Sequence, residues 1–120
     1  MELQILEYKG YKIAELIAES AVIQNTQEAV ELVVNSQYLE AEGLIVQENQ
    51  LHPDFFDLKT KMAGDILQKF STYRAKLAIV GDFTKYQSQA LQDFIRESNQ
   101  VGRINFVNSV EEAKNRLIKT

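Results

Sequence analysis

Three short apolar runs constrain this chain more than any other feature. Leu44-Ile45-Val46, Leu77-Ala78-Ile79-Val80 and Ile104 to Val107 are each bounded by glycine or polar residues. A run that short and apolar at nearly every position predicts a strand covered on both faces. Between the runs the apolar spacing changes to three and four, the period of an amphipathic helix. Strands alternating with helices of about ten to fifteen residues imply right-handed crossovers and a largely parallel sheet.

The N-terminal part adds a different pattern. Leu3 and Ile5, then Ile13 and Ile17, recur at multiples of two, predicting strands over 3–8 and 11–18 joined at Lys9-Gly10, where Gly10 supplies the positive φ of a tight hairpin. Asn25-Thr26 offers a helix cap with Glu28 in the first turn, and Ala29, Val30, Val33, Val34 and Gln37 share a face of a helix over 26–40. Gly43 ends that connection. A second helix is expected over 56–72, with Met62, Ala63, Ile66, Leu67 and Phe70 on its apolar face. Gly64 in its interior is expected to mark a close approach to a strand. Ser88 caps a third helix with Leu91, Phe94, Ile95 and Ser98 on one face, closed by Gly102. Ser109-Val110-Glu111-Glu112 is a capping box for a last helix presenting Val110, Ala113, Leu117 and Ile118. The expected order is β-β-α-β-α-β-α-β-α.

Composition narrows the function classes. A chain of 120 residues has the usual size of one domain, and residues 1–120 are read as one α/β domain. Seventeen acidic residues against thirteen basic ones leave a net charge of −4, without the basic stripe that phosphate-backbone binding needs, so nucleic acid is not an expected partner. Cysteine is absent, which removes disulfides, thiolate nucleophiles and zinc-thiolate sites. Met1-Glu2-Leu3-Gln4 carries acid where a secretory signal carries base, and no long apolar stretch follows. A cytoplasmic location without membrane insertion is expected.

Ligands of open α/β sheets bind outside the carboxyl ends of the strands, where loops meet helix N-termini. Two loops stand out there: residues 49–60, with Asp54-Phe55-Phe56-Asp57 and Lys59-Thr60, and residues 81–87, with Asp82-Phe83. Neighbouring strands would place both on one edge. Three large rings are costly to expose, which leaves two readings. Phe55, Phe56 and Phe83 plug the core while Asp54, Asp57 and Asp82 cap turns, or the same residues form a recognition surface of apolar anchors with a polar rim.

Catalytic sets are incomplete. His52 is the only imidazole, so any general base is His52 or a carboxylate. Ser20, Ser36, Ser71, Ser88, Ser98 and Ser109 all lie outside a nucleophile-elbow context. Asp54, Asp57 and Asp82 have the chemistry to gather magnesium, but no glycine-rich phosphate cradle accompanies them. A phosphoryl-receiver domain would need an aspartate ending the third strand and a lysine ending the last, where Glu48 and Asn108 stand. Arg74 and Lys76 fall at the opposite end of the fourth strand and read as solvated charges.

The segment DFFDLKTKMAGDILQKFSTYRAKLAIVGDF (54–83), followed by QALQDFIRESNQ and INFVNSVEEA, resembles the bacterial family called domain of unknown function 4180, from about residue 44 to 115. That resemblance implies no activity. More distantly the chain is similar to STAS domains, the sulfate-transporter and anti-sigma-factor-antagonist modules. This resemblance implies the same order of elements and a single mostly parallel five-stranded sheet with helices mainly on one face. In STAS domains a DxxDSSGLG-like segment opens the second helix and carries a serine phosphorylated to switch partner binding. Here Asp54 to Gly64 corresponds to it, and only Thr60 retains a hydroxyl. A phosphoryl group near a helix N-terminus is electrostatically favoured, which leaves Thr60 as the candidate position. The double serine is replaced, however, and the competing reading is a threonine serving as a helix residue or cap, so the family's switch does not simply carry over.

The expected function is a non-enzymatic regulatory or binding module presenting Asp54, Phe55, Phe56, Asp57, Lys59, Thr60, Asp82 and Phe83 to a protein partner or small ligand. No cofactor is implied. The alternative is a small enzyme with an acidic metal- or anion-dependent site formed by Asp54, Asp57, Asp82 and His52. A homodimer through the helix-free face of the sheet is a third expectation.

Overall fold

A computed structural model describes residues 2–19 and 21–118; Met1, Ser20, Lys119 and Thr120 lie outside the described residues. Its centre is one five-stranded sheet in which the strands lie side by side in chain order. Strands β1 (Glu2–Tyr8) and β2 (Tyr11–Ile17) form the hairpin. Lys9 and Gly10 have φ of 52° and 87°, as the two central residues of a type I′ turn require. From β2 onward the pairing is parallel, to β3 (Leu44–Gln47), β4 (Leu77–Val80) and β5 (Ile104–Val107).

Helices α1 (Thr26–Tyr38), α2 (Met62–Thr72) and α3 (Gln89–Val101) connect these parallel strands. Each crossover steps one strand in the same direction, so a common hand puts all three helices on one face. The core on that face joins Leu16, Val46 and Ile79 of the sheet to Leu32 of α1, Ile66 of α2 and Leu91 of α3. Helix α4 (Val110–Ile118) follows the last strand, has no further strand to reach, and folds over the other face. There Ala113 and Leu117 pack on Ile13, Ile45, Ala78 and Val107. The face expected to be free of helices is therefore covered by α4, and the Tyr8 hydroxyl fastens it by donating to Asn115 Oδ1 at 2.8 Å. Among the described residues no helix is long and apolar enough to cross a membrane.

Several local expectations need correction. Helix α1 turns a different stripe inward: Ala29, Leu32, Val33 and Ser36 are buried, whereas Val34 and Gln37 are exposed. The polar end of Gln37 instead donates to the Tyr73 carbonyl at 2.8 Å, bridging α1 to the end of α2. Helix α2 starts at Met62 rather than 56, because Lys61 sits at φ 67° and breaks the helical path. Upstream of it the chain makes three 3-10 turns, Glu48–Gln50, Pro53–Phe56 and Leu58–Thr60. Gly64 is exposed and a Cβ there would meet nothing within 4 Å, so no strand approaches it. The capping box at the start of α4 is offset by one residue: Ser109 Oγ accepts from the Glu112 amide, while the Glu112 carboxylate accepts from the Asn108 amide at 3.1 Å.

Candidate functional site

The loops after β3 and β4 meet at the carboxyl end of the sheet. Parallel pairing of Gln47 with Val80 starts them side by side, and aromatic rings join them. Phe56 stacks on Tyr86 with centroids 5.0 Å apart and on Phe83 at 6.1 Å. Phe83 in turn meets Phe106 of β5 edge-on at 5.2 Å. Phe55 points deeper, fully buried, with its ring 5.0 Å from Phe56 and 6.2 Å from Phe106.

Asp54, Asp57, Lys59, Thr60 and Asp82 are exposed and fixed by short-range bonds. Asp57 Oδ1 accepts from the Lys59 amide at 3.1 Å. Thr60 Oγ1 lies 2.6 Å from the Asp54 carbonyl and 2.8 Å from that of Asp57, and accepts from the Met62 amide at 3.3 Å. Its hydroxyl thus ties the two 3-10 turns to the start of α2. The Asp54 amide donates to His52 Nδ1 at 3.0 Å. Asp82 Oδ1 accepts from the amide and hydroxyl of Thr84, at 3.1 and 2.7 Å, and these bonds hold its carboxyl below the usual carboxylate range. Among the described residues no group of three or more histidine, aspartate or glutamate side chains is gathered to hold a metal ion.

A second set of residues, not singled out by the sequence, shares the same end of the sheet. Glu48, immediately after β3, has a side chain only 14% exposed, and its Oε2 accepts from Lys85 Nζ at 2.7 Å and from the Tyr86 hydroxyl. Lys85 Nζ also lies 5.4 Å from the centre of the Tyr86 ring. Burial first, and the bond to Glu48 second, push the Tyr86 hydroxyl well above the ordinary value of 10.0. Gly81 makes room for this arrangement, since a Cβ there would stand 2.6 Å from Glu48 Oε1 and 2.7 Å from Glu48 Cβ. The sequence marks Gly81 only as the end of a strand; its steric role appears when Glu48 is placed beside it.

Gln50 organises the floor beneath. Its buried amide donates to the carbonyls of Leu16 and Ala18, at 3.2 and 2.9 Å, and accepts from the Gln47 amide at 2.8 Å. Its backbone carbonyl accepts from the Val22 and Ile23 amides, and the His52 amide donates to Ile23 at 2.9 Å. The segment after β2 is thereby stitched to the loop after β3. Between this seam and the loop after β4 lies a depression of about 320 Å³, walled by Leu51, Pro53, Phe56 and the Tyr86 ring and edged by Glu48 and Lys85. Of the side chains singled out by the sequence, Phe56 reaches that wall. Phe55 and Phe83 are buried behind it.

Two predictions follow from this packing. A Gly81→Ala protein is expected to lose about 1–3 kcal/mol of stability, because the new methyl must displace the Glu48 stem and not merely its tip; urea unfolding measures it. The raised Tyr86 value fixes the sign of a pH effect. A tyrosine whose ionisation is pushed upward by folding contributes stability that is complete below about pH 10, its unfolded value, and is lost as pH rises through the folded value. In ultraviolet titration one of the five tyrosines should therefore ionise only as the protein unfolds. Its ionisation with the others in a folded protein would contradict the Glu48–Tyr86 bond.

No curated protein and no solved structure matches the chain. A family model does: the one described as Domain of unknown function (DUF4180) matches residues 8–117. With nearly its whole length matched, the chain belongs to the DUF4180 family.

Proposed function

We propose that this chain is a non-enzymatic binding module that takes a small ligand in the depression between the loops after β3 and β4. The observation that carries this reading is the combination of an apolar concavity of about 320 Å³ with two convergent charged groups at its edge, Glu48 and Lys85. Small-molecule sites have that composition: mostly apolar walls with a few placed polar groups, at the carboxyl ends of parallel strands. A larger depression of about 390 Å³ opens at the opposite end of the sheet, near Asn99, Asn105 and Arg116. The side chains of Asn99, Asn105 and Arg116 there are committed to the fold. Arg116 donates to the Asn99 carbonyl at 2.6 Å, and the buried Asn105 amide donates to the carbonyls of Leu77 and Gly102.

The broader reading is a STAS-like module acting in the cytoplasm; the element order and the three helices sharing one sheet face support its STAS-like part alone. The test is a fragment screen by two-dimensional amide NMR on the wild-type chain and an Ala21→Phe variant. Ala21 is half-buried on the wall, and a phenyl ring there fills the space. Hits are expected to move the amides of Leu51, Phe56 and Tyr86 and to vanish in the variant. Hits that scatter over the surface, or persist unchanged in Ala21→Phe, reject the reading.

A further inference from the structure

We propose that the ligand is a small organic ammonium compound with an apolar body, and that Lys85 occupies the cation position when the ligand is absent. This rests on the binding reading above. Glu48 is the central observation. Its carboxylate is mostly withdrawn from water, held at the end of β3 by the space that Gly81 leaves and by the Tyr86 hydroxyl. A carboxylate in such a place needs a cation. The cation present is Lys85, whose side chain is 58% exposed.

The geometry around Lys85 Nζ defines what the position accepts. The ammonium has the carboxylate 2.7 Å away on one side and the Tyr86 ring 5.4 Å away on another. A carboxylate beside an aromatic ring is the arrangement that selects an ammonium group, through charge pairing and attraction to the ring face. Beside it Leu51, Pro53 and Phe56 offer an apolar wall in the depression that Lys85 also lines. A ligand joining an ammonium to an aryl or alkyl body satisfies both parts at once. Lysine fills only the first. A carboxylate ligand would have to take Lys85 away from Glu48 and leave that mostly buried carboxylate without its cation, which is costly.

The two alternatives predict opposite signs for one mutation. If the ligand's ammonium displaces Lys85, removing Lys85 relieves a competitor and strengthens binding. If Lys85 holds an anionic ligand, its removal weakens binding. The probes are phenethylamine, phenylacetate and phenethyl alcohol, titrated by amide NMR into the full wild-type chain and into Lys85→Gln and Glu48→Gln variants. Phenethylamine is expected to perturb Leu51, Phe56 and Tyr86 most. It should bind Lys85→Gln about two- to fivefold more tightly than wild type, the size of an exposed ion pair's contribution, and should lose that preference over the alcohol in Glu48→Gln. Lys85 is at the surface, so its variant carries the test even where Glu48→Gln folds poorly. Phenylacetate binding best at these residues, or phenethylamine binding Lys85→Gln no more tightly, overturns the ammonium assignment and leaves the depression as a binding site. Failure of every probe to perturb these residues overturns the assignment and counts against the binding reading itself.

Discussion

Replacing Phe55 by alanine is expected to lower the unfolding free energy by about 3–5 kcal/mol, the cost of removing a buried phenylalanine from a core that cannot fully collapse. Phe55 has no exposed surface, and its ring touches Phe56 of its own turn and Phe106 of the far edge strand. It is thus the point at which the loop after β3 is anchored under the helices. Against a typical total of about 5–15 kcal/mol, the variant should be marginal at room temperature and show a large drop in the urea midpoint with little change in slope. A loss of less than about 1 kcal/mol is what surface substitutions give, and would mean that Phe55 lies outside the core. Phe55→Leu, which keeps most of the volume, should recover a large part of the loss.

The second large effect belongs to Gln50. Substitution by leucine keeps the size of the side chain but leaves the Gln47 amide and the Leu16 and Ala18 carbonyls without their partners. Unmade bonds at buried groups cost about 1–3 kcal/mol each, partly recovered by water and relaxation, so a net loss of about 2–4 kcal/mol is expected. Gln50→Glu gives a sharper diagnostic. A carboxylate there can still accept from Gln47, but as an ion it faces two carbonyl oxygens, so folding favours its protonated form and raises its pKa. Stability of this variant relative to wild type should be greatest below about pH 4, the unfolded value of glutamate, and should fall as pH rises towards the raised folded value. Urea unfolding at several pH values reads this directly. A difference independent of pH would show that residue 50 is solvated.

Both residues lie in a stretch where the sequence was least informative. The apolar runs at 44, 77 and 104 identify their strands because burial on both faces leaves a signature that needs no knowledge of neighbours. The hairpin is readable from Gly10, and the starts of α1 and α3 from Asn25 and Ser88, whose side chains accept from the Glu28 and Leu91 amides. The segment 48–61 follows no period. Its last two 3-10 turns are set by Pro53, by Asp57 and by a left-handed Lys61, a conformation that a lysine does not advertise. Phe55 and Phe56 therefore resemble the opening of a helix face, although only the later turns are α-helical.

The meeting of the two loops is legible in the sequence as a location but less so as a set of side chains. Both loops could be placed at the carboxyl ends of adjacent strands, and their rings do meet. Acidic residues stand out in the sequence because carboxylates beside aromatic rings suggest chemistry. Yet Asp57 and Asp82 accept bonds from their own turns, a local role common for aspartate. Glu48 gave no such signal. Its importance comes from Gly81 and Tyr86, more than thirty positions away in sequence (Tyr86 is 38 residues on) and brought against it only by the parallel pairing of β3 with β4. Gln50 is equally silent, since a polar residue in a loop reads as solvated until its three partners are in view.

Ring-to-ring nuclear Overhauser effects in the folded chain test the union of the two loops most directly. Phe56 and Tyr86 stack with centroids 5.0 Å apart and ring planes 12° from parallel, close enough for strong cross-peaks between their aromatic protons. Those cross-peaks are expected, together with a weaker set from Phe56 to Phe83. A well-resolved spectrum with no contact from Phe56 to either ring would contradict the union of the loops, because Phe56 and Tyr86 would then not wall one depression.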